Sequence, residues 1–194
     1  MEYLILEDEN LIYEMSSKTV KFLVPYNYFF SLVKLNWNDI LFAIENNYLT
    51  HQDAREYASM ELSNNIDNSP QDIIDLVCLT PEEIKKFPHL IYPHINNLVK
   101  DIPEEEKQET KDKVMYIILS CIFENREKFK NPLRLAQLIY AQFDYPQSLN
   151  EIAGYISIGT DCFLAFPHEP SEEEIMKNWA NYLEKEKHRF NKNL

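Results

Sequence analysis

Gly154 and Gly159 are the only glycines among 194 residues, and this scarcity constrains the fold more than any motif does. Glycine takes positive φ at little steric cost, so turn-rich β folds and phosphate-cradling loops draw on it heavily. A chain with two glycines favours helices. The same count excludes the glycine-rich dinucleotide and P-loop fingerprints, since neither can be spelled with two glycines five residues apart.

Apolar spacing supports the helical reading. In WNDILFAIENNYL, Trp37, Ile40, Leu41, Ile44 and Tyr48 recur at the i, i+3, i+4, i+7 positions of a core-facing stripe. Thr50 with Asp53 caps a second helix faced by Ala54, Tyr57, Ala58 and Leu62. Ser69 before Pro70 starts a third, with Ile73, Ile74 and Val77 inward. Thr80, Pro81 and Glu83 form a capping box, in which hydroxyl and carboxylate satisfy the free N–H groups of a helix start reciprocally. After Pro103 a run of acids leads into the strongest helix, with Val114, Ile117, Ile118, Cys121 and Ile122 on one face. It is expected to be the central one. Asn131 and Pro132 start the next, carrying Leu135, Leu138 and Ile139. Ser171 and Glu174 box the last, faced by Ile175, Trp179, Tyr182 and Leu183.

These signals predict a mainly α, single-domain helical bundle of about seven to nine helices joined by short connections. Within it, residues 1–24 read as an N-terminal strand or arm, 25–143 as the helical core and 171–190 as the C-terminal helix. Residues 144–170, which hold three prolines and both glycines, read as a long ordered loop with room for one short strand pair. Helix lengths and caps vary too much to support a repeat array.

Composition adds the setting. Hydrophobic residues make up 45% and charged residues 26%, enough for a core without staples and too apolar for long disorder. Cys78, Cys121 and Cys162 are odd in number and widely spaced, so they are expected as buried free thiols, forming neither a disulfide framework nor a zinc site. MEYLILEDEN lacks the basic start of a signal peptide, and no run approaches the roughly 18 apolar residues of a membrane span. A cytoplasmic location and no membrane contact are expected.

Catalytic motifs are missing. His89 and His94 are the closest of five histidines, but their spacing of five with Pro93 between them spoils the helical i, i+4 geometry of a metal pair. No G-x-S-x-G elbow and no Cys–His family context occur. No catalytic, cofactor or metal residue is therefore assigned. Glu104, Glu105, Glu106 and Glu109 suit the positive end of a helix dipole and need no function.

The charge is informative. A net charge of −13 disfavours nucleic acid and favours a basic protein partner. Two stretches concentrate it. Leu35 to Glu83 carries ten acids and Arg55 as its one Lys or Arg, while Asp144 to Glu174 has no Lys or Arg at all. In the second, acids interleave with Tyr145, Tyr155, Phe163 and Phe166, a pattern suited to docking on a basic surface, with aromatics as anchors and acids steering approach. Asp144, Tyr145, Glu151, Asp161, Glu169, Glu172 and Glu173 are the candidate contact residues.

WNDILFAIENNYLTHQDAREYA at 37–58, AQFDYP at 141–146, and a terminal helix with Trp179 and Tyr182 resemble a bacterial family of unknown function. The resemblance covers about half the chain. Members of that family look like single-domain cytoplasmic proteins encoded among toxin and immunity genes. The resemblance implies an immunity protein that neutralises a cognate toxin domain, commonly a nuclease with a basic substrate-binding face, and it brings no catalytic residues with it. A general helical adaptor and an enzyme using unrecognised carboxylates are the other two readings.

Overall fold

The computed structural model describes residues 22–129, 131–153, 156–158, 162–164 and 170–191. In chain order these form α1 (Tyr26–Phe29), α2 (Trp37–Glu45), α3 (His51–Asn64), α4 (Gln71–Cys78), α5 (Pro81–Lys86), α6 (Tyr92–Leu98), α7 (Glu104–Glu124), α8 (Pro132–Gln142) and α9 (Asn150–Ala153). The strands β1 (Ile156–Ile158) and β2 (Cys162–Leu164) follow, and then α10 (Glu172–Asn191). Among the described residues there are thus ten helices; α1 and α9 are single turns, which leaves eight longer ones, within the expected range. The strands pair antiparallel with Ser157 opposite Phe163, inside the stretch expected to be a loop with one strand pair. The expected N-terminal strand or arm falls almost wholly outside the described residues.

The helix starts follow their caps. Asn36 accepts from the backbone N–H groups of Asn38 and Asp39, and the Asp39 carboxylate accepts from Asn36 N at 3.0 Å. Thr80 with Glu83 and Ser171 with Glu174 close the capping boxes read from the sequence. The start of α4 differs. Pro70 precedes the first helical residue instead of occupying it, and the Ser69 hydroxyl turns back to donate to the Asn65 carbonyl at 2.6 Å. The inward residues of α4 are Ile73 and Leu76, with Ile74 and Val77 only half-buried, because α4 is gripped by α3 on one side and α6 on the other.

At the core lies α7. From Val114 to Ile122 every residue is buried, so this half of the helix has no solvent face and must be surrounded. It packs on α2, α8 and α10. The buried hydrophobic residues form a single cluster running from Phe22 to Phe190. A second group, α3 to α6, packs among itself and meets α2 through α6 and through the contacts of Trp37 with α3. One buried polar junction ties α2 to α7. The wholly buried Asp39 accepts from Thr110 Oγ1 at 2.7 Å and pairs with Lys113 Nζ at 3.3 Å.

Cysteine burial is mixed. Cys121 is buried, and burial pushes its thiol up to about 11. Cys78, expected inside, is exposed as the last residue of α4.

Candidate functional site

Of the candidate contact residues, Asp144, Tyr145, Glu151, Glu172 and Glu173 are exposed, and Asp161 and Glu169 lie outside the described residues. Asp144 and Tyr145 end α8, Glu151 sits on α9, and Glu172 and Glu173 open α10; α9 packs against both α8 and α10, so neighbouring elements carry them. Tyr145 has a structural task as well. Its ring meets Tyr140 edge-on with centroids 5.2 Å apart, and the Tyr140 hydroxyl donates to Asn150 Oδ1 at 2.8 Å.

The acid-rich stretch from Leu35 to Glu83 becomes α2, α3, α4 and the start of α5. Two of its ten acids are consumed internally: Asp39 in the junction above, and the buried Asp53, whose Oδ2 accepts from Thr50 N at 2.6 Å and Thr50 Oγ1 at 2.7 Å. Glu56, Glu61, Asp67, Asp72, Asp75, Glu82 and Glu83 are exposed or half-exposed on α3, the turn at Asp67, α4 and the first turn of α5. Arg55, the lone base, is already committed to the Leu79 carbonyl at 2.7 Å and to Glu56 at 3.2 Å. Met60 and Ile66, in the same stretch of chain, are 40% and 71% exposed.

A pocket of about 480 Å³ opens between the segment following α1 and the end of α3. Phe30, Trp37, Tyr57, Met60 and Leu98 supply its apolar walls, and Glu61 its carboxylate. The rings form one assembly. Phe30 stacks on Tyr57 with centroids 5.2 Å apart and planes inclined by 23°, while Trp37 meets Tyr57 edge-on at 4.9 Å. Trp37 Nε1 donates to Glu61 Oε2 at 2.8 Å, and Tyr57 donates to the Leu35 carbonyl at 2.8 Å. Burial and the neighbouring Glu61 raise the Tyr57 phenol, which keeps it protonated as a donor. The pocket was not read from the sequence because Trp37 and Tyr57 fit the core stripes of their helices. A weak signal was present: Tyr57 and Glu61 are four residues apart, on one helix face.

His94 finds partners other than His89. Its Nδ1 lies 3.1 Å from Asp72 Oδ1 and 3.9 Å from Asp75 Oδ2, and Asn97 Nδ2 donates to the same Asp72 oxygen at 3.1 Å. The bonds from His94 and Asn97 hold the Asp72 carboxyl below its usual range. Among the described residues, Asp72, Asp75 and His94 are the group with metal-ligand chemistry, their donor atoms lying within 4.8 Å of one another. As they stand they pair with each other and close the α4–α6 interface. The spacing that reveals them, D-x-x-D on one helix and H-x-x-N on another, becomes meaningful only once the two helices are known to touch. At the start of α3, His51 Nε2 lies 3.2 Å from the Tyr92 hydroxyl, and burial lowers the His51 pKa.

No helix among the described residues is long and apolar enough to cross a membrane. A family model described as "uncharacterized protein conserved in bacteria (DUF2247)" matches residues 26–187. No curated protein and no solved structure matches the chain.

Proposed function

The chain belongs to that bacterial family, and we propose, from its distribution of charge, that it is an immunity protein: it docks on a basic toxin domain, such as a nuclease, and masks the face that would engage substrate. It acts in the cytoplasm of the cell that encodes both. One observation carries the reading. From Glu56 to Glu83, on α3, α4, the turn at Asp67 and the first turn of α5, seven acids are exposed or half-exposed, Met60 and Ile66 of the same stretch are exposed apolar groups, and the one Arg or Lys from Leu35 to Glu83 is internally paired. Acids steer a basic partner into encounter, and exposed apolar groups supply the contact that holds it. The α8–α10 surface with Asp144, Tyr145, Glu151, Glu172 and Glu173 is a second acidic face suited to the same partner.

Co-expression with the toxin domain encoded beside its gene tests the proposal. The expected outcome is rescue of growth and a complex that co-purifies and survives gel filtration. Continued toxicity with no complex at micromolar concentrations would refute it. Stable binding to a neighbouring gene product that is not toxic would favour the adaptor reading instead.

A further inference from the structure

We propose that the pocket between Phe30, Trp37, Tyr57, Met60 and Glu61 is a receptor for a guanidinium group, and that an arginine side chain of the basic partner inserts there. This deepens the proposed function and rests on it for the identity of the partner, though not for the chemistry of the pocket. The chemistry comes from three features.

First, Glu61 is a half-buried carboxylate with no Lys, Arg or His partner among the described residues. Its neighbours are aromatic. Trp37 Nε1 donates to Oε2 at 2.8 Å, which fixes the carboxylate's direction, and the Tyr57 hydroxyl lies beside it, so both neighbours are neutral donors that leave its charge uncompensated. Second, the walls are π-faces arranged as a fixed group by the Phe30–Tyr57 stack and the Trp37–Tyr57 edge contact. A planar cation gains from stacking on such faces, and guanidinium does so more readily than ammonium because it is flat and weakly hydrated. Third, the volume of about 480 Å³ lies in the lower part of the roughly 300–1,000 Å³ range of ligand sites, and Met60 supplies a deformable wall for an aliphatic stem.

One neighbour works against the proposal in a way that can be measured. Lys34 also lines the pocket, exposed and unpaired with Glu61, so its ammonium opposes a bound cation. Removing that charge by Lys34→Met is expected to tighten binding, whereas a site for an anion would be weakened by the same change.

The probe is L-arginine amide, titrated into the full chain while the tryptophan indole N–H signals are followed by heteronuclear NMR. The chain has two tryptophans, and Trp179 is wholly buried, so the Trp37 signal reports the pocket. Arginine amide is expected to shift it saturably with millimolar affinity, and the neutral isostere citrulline amide to leave it in place. Glu61→Gln keeps an acceptor for Trp37 Nε1 while removing the charge, and should weaken binding about tenfold or more with unchanged thermal unfolding. No saturable shift, equal response to citrulline amide, or full affinity in Glu61→Gln would overturn the inference. The two proposals fail separately. A toxin bound equally well by wild type and Glu61→Gln sinks the pocket alone, and arginine amide binding without any toxin complex sinks the immunity reading alone.

Discussion

Asp144 and Tyr145 occupy consecutive left-handed positions, with φ of 60° and 57°, and Asn47 a third with φ of 62°. A chain with two glycines still has to end its helices, and here it does so with larger residues. After α2, Tyr48 N donates to the Ala43 carbonyl at 2.8 Å and Asn47 N to Ile44 at 3.0 Å; after α8, Tyr145 N donates to Tyr140 at 2.9 Å and Asp144 N to Ala141 at 3.3 Å. Both sets are the paired bonds of a Schellman end, and the Tyr145–Tyr140 ring contact is the apolar contact that accompanies one. Glycine is the residue that takes this conformation without a Cβ clash. Asp144→Gly is therefore expected to raise stability by about 0.5–1 kcal/mol, read from the denaturant midpoint at constant slope. A loss of stability would show that the Asp144 side chain contributes more than its backbone strain costs. The sequence led to Tyr145 as an aromatic beside an acid, but its capping task depends on a helix end that no residue type announces.

Among the elements, α2 and α7 are joined by Asp39, which lies in a sequence position that reads as a helix-capping acid and also serves the core. Asp39→Ala leaves Lys113, 13% exposed, with Glu109 at 3.4 Å as its remaining partner, opens the α2 capping box, and should cost about 3 kcal/mol; Thr110→Val removes one hydrogen bond and should cost about 1 kcal/mol. Chemical denaturation of both variants checks the order, and equal losses would assign the junction no special weight. Element starts were legible because capping is local chemistry: Thr80 with Glu83 and Ser171 with Glu174 need only three residues' spacing. The helical phase of α4 was not, because two flanking helices decide which of Ile73, Ile74, Leu76 and Val77 point inward. For α7 one apolar face was read, whereas the structure buries all sides from Val114 to Ile122. A central helix has neighbours all round, and only the packing shows where they stand.

For the whole molecule, the net charge of −13 divides into acids spent on the fold and acids turned outward. Composition alone could not make that division: Asp39 and Asp53 count the same as Glu56 and Asp67 in a sequence, yet the first two are buried caps. The acid-rich stretches were visible, and so was their poverty in bases. What was hidden was the aromatic pocket around Glu61, since it joins Phe30, Trp37 and Tyr57 from three parts of the chain, each of which reads as core material. The central claim is that the exposed acids of α3, α4 and their turns receive a basic partner. Its most direct test is the rate of association with the proposed toxin partner as a function of ionic strength, for wild type, for Glu56→Lys/Asp67→Lys/Glu82→Lys, and for Glu151→Lys/Glu172→Lys/Glu173→Lys. The wild-type rate should fall with salt, and the first variant should associate about tenfold more slowly at low salt with a flattened salt dependence, while the second loses less. A first variant that associates as fast as wild type at low salt would contradict the claim.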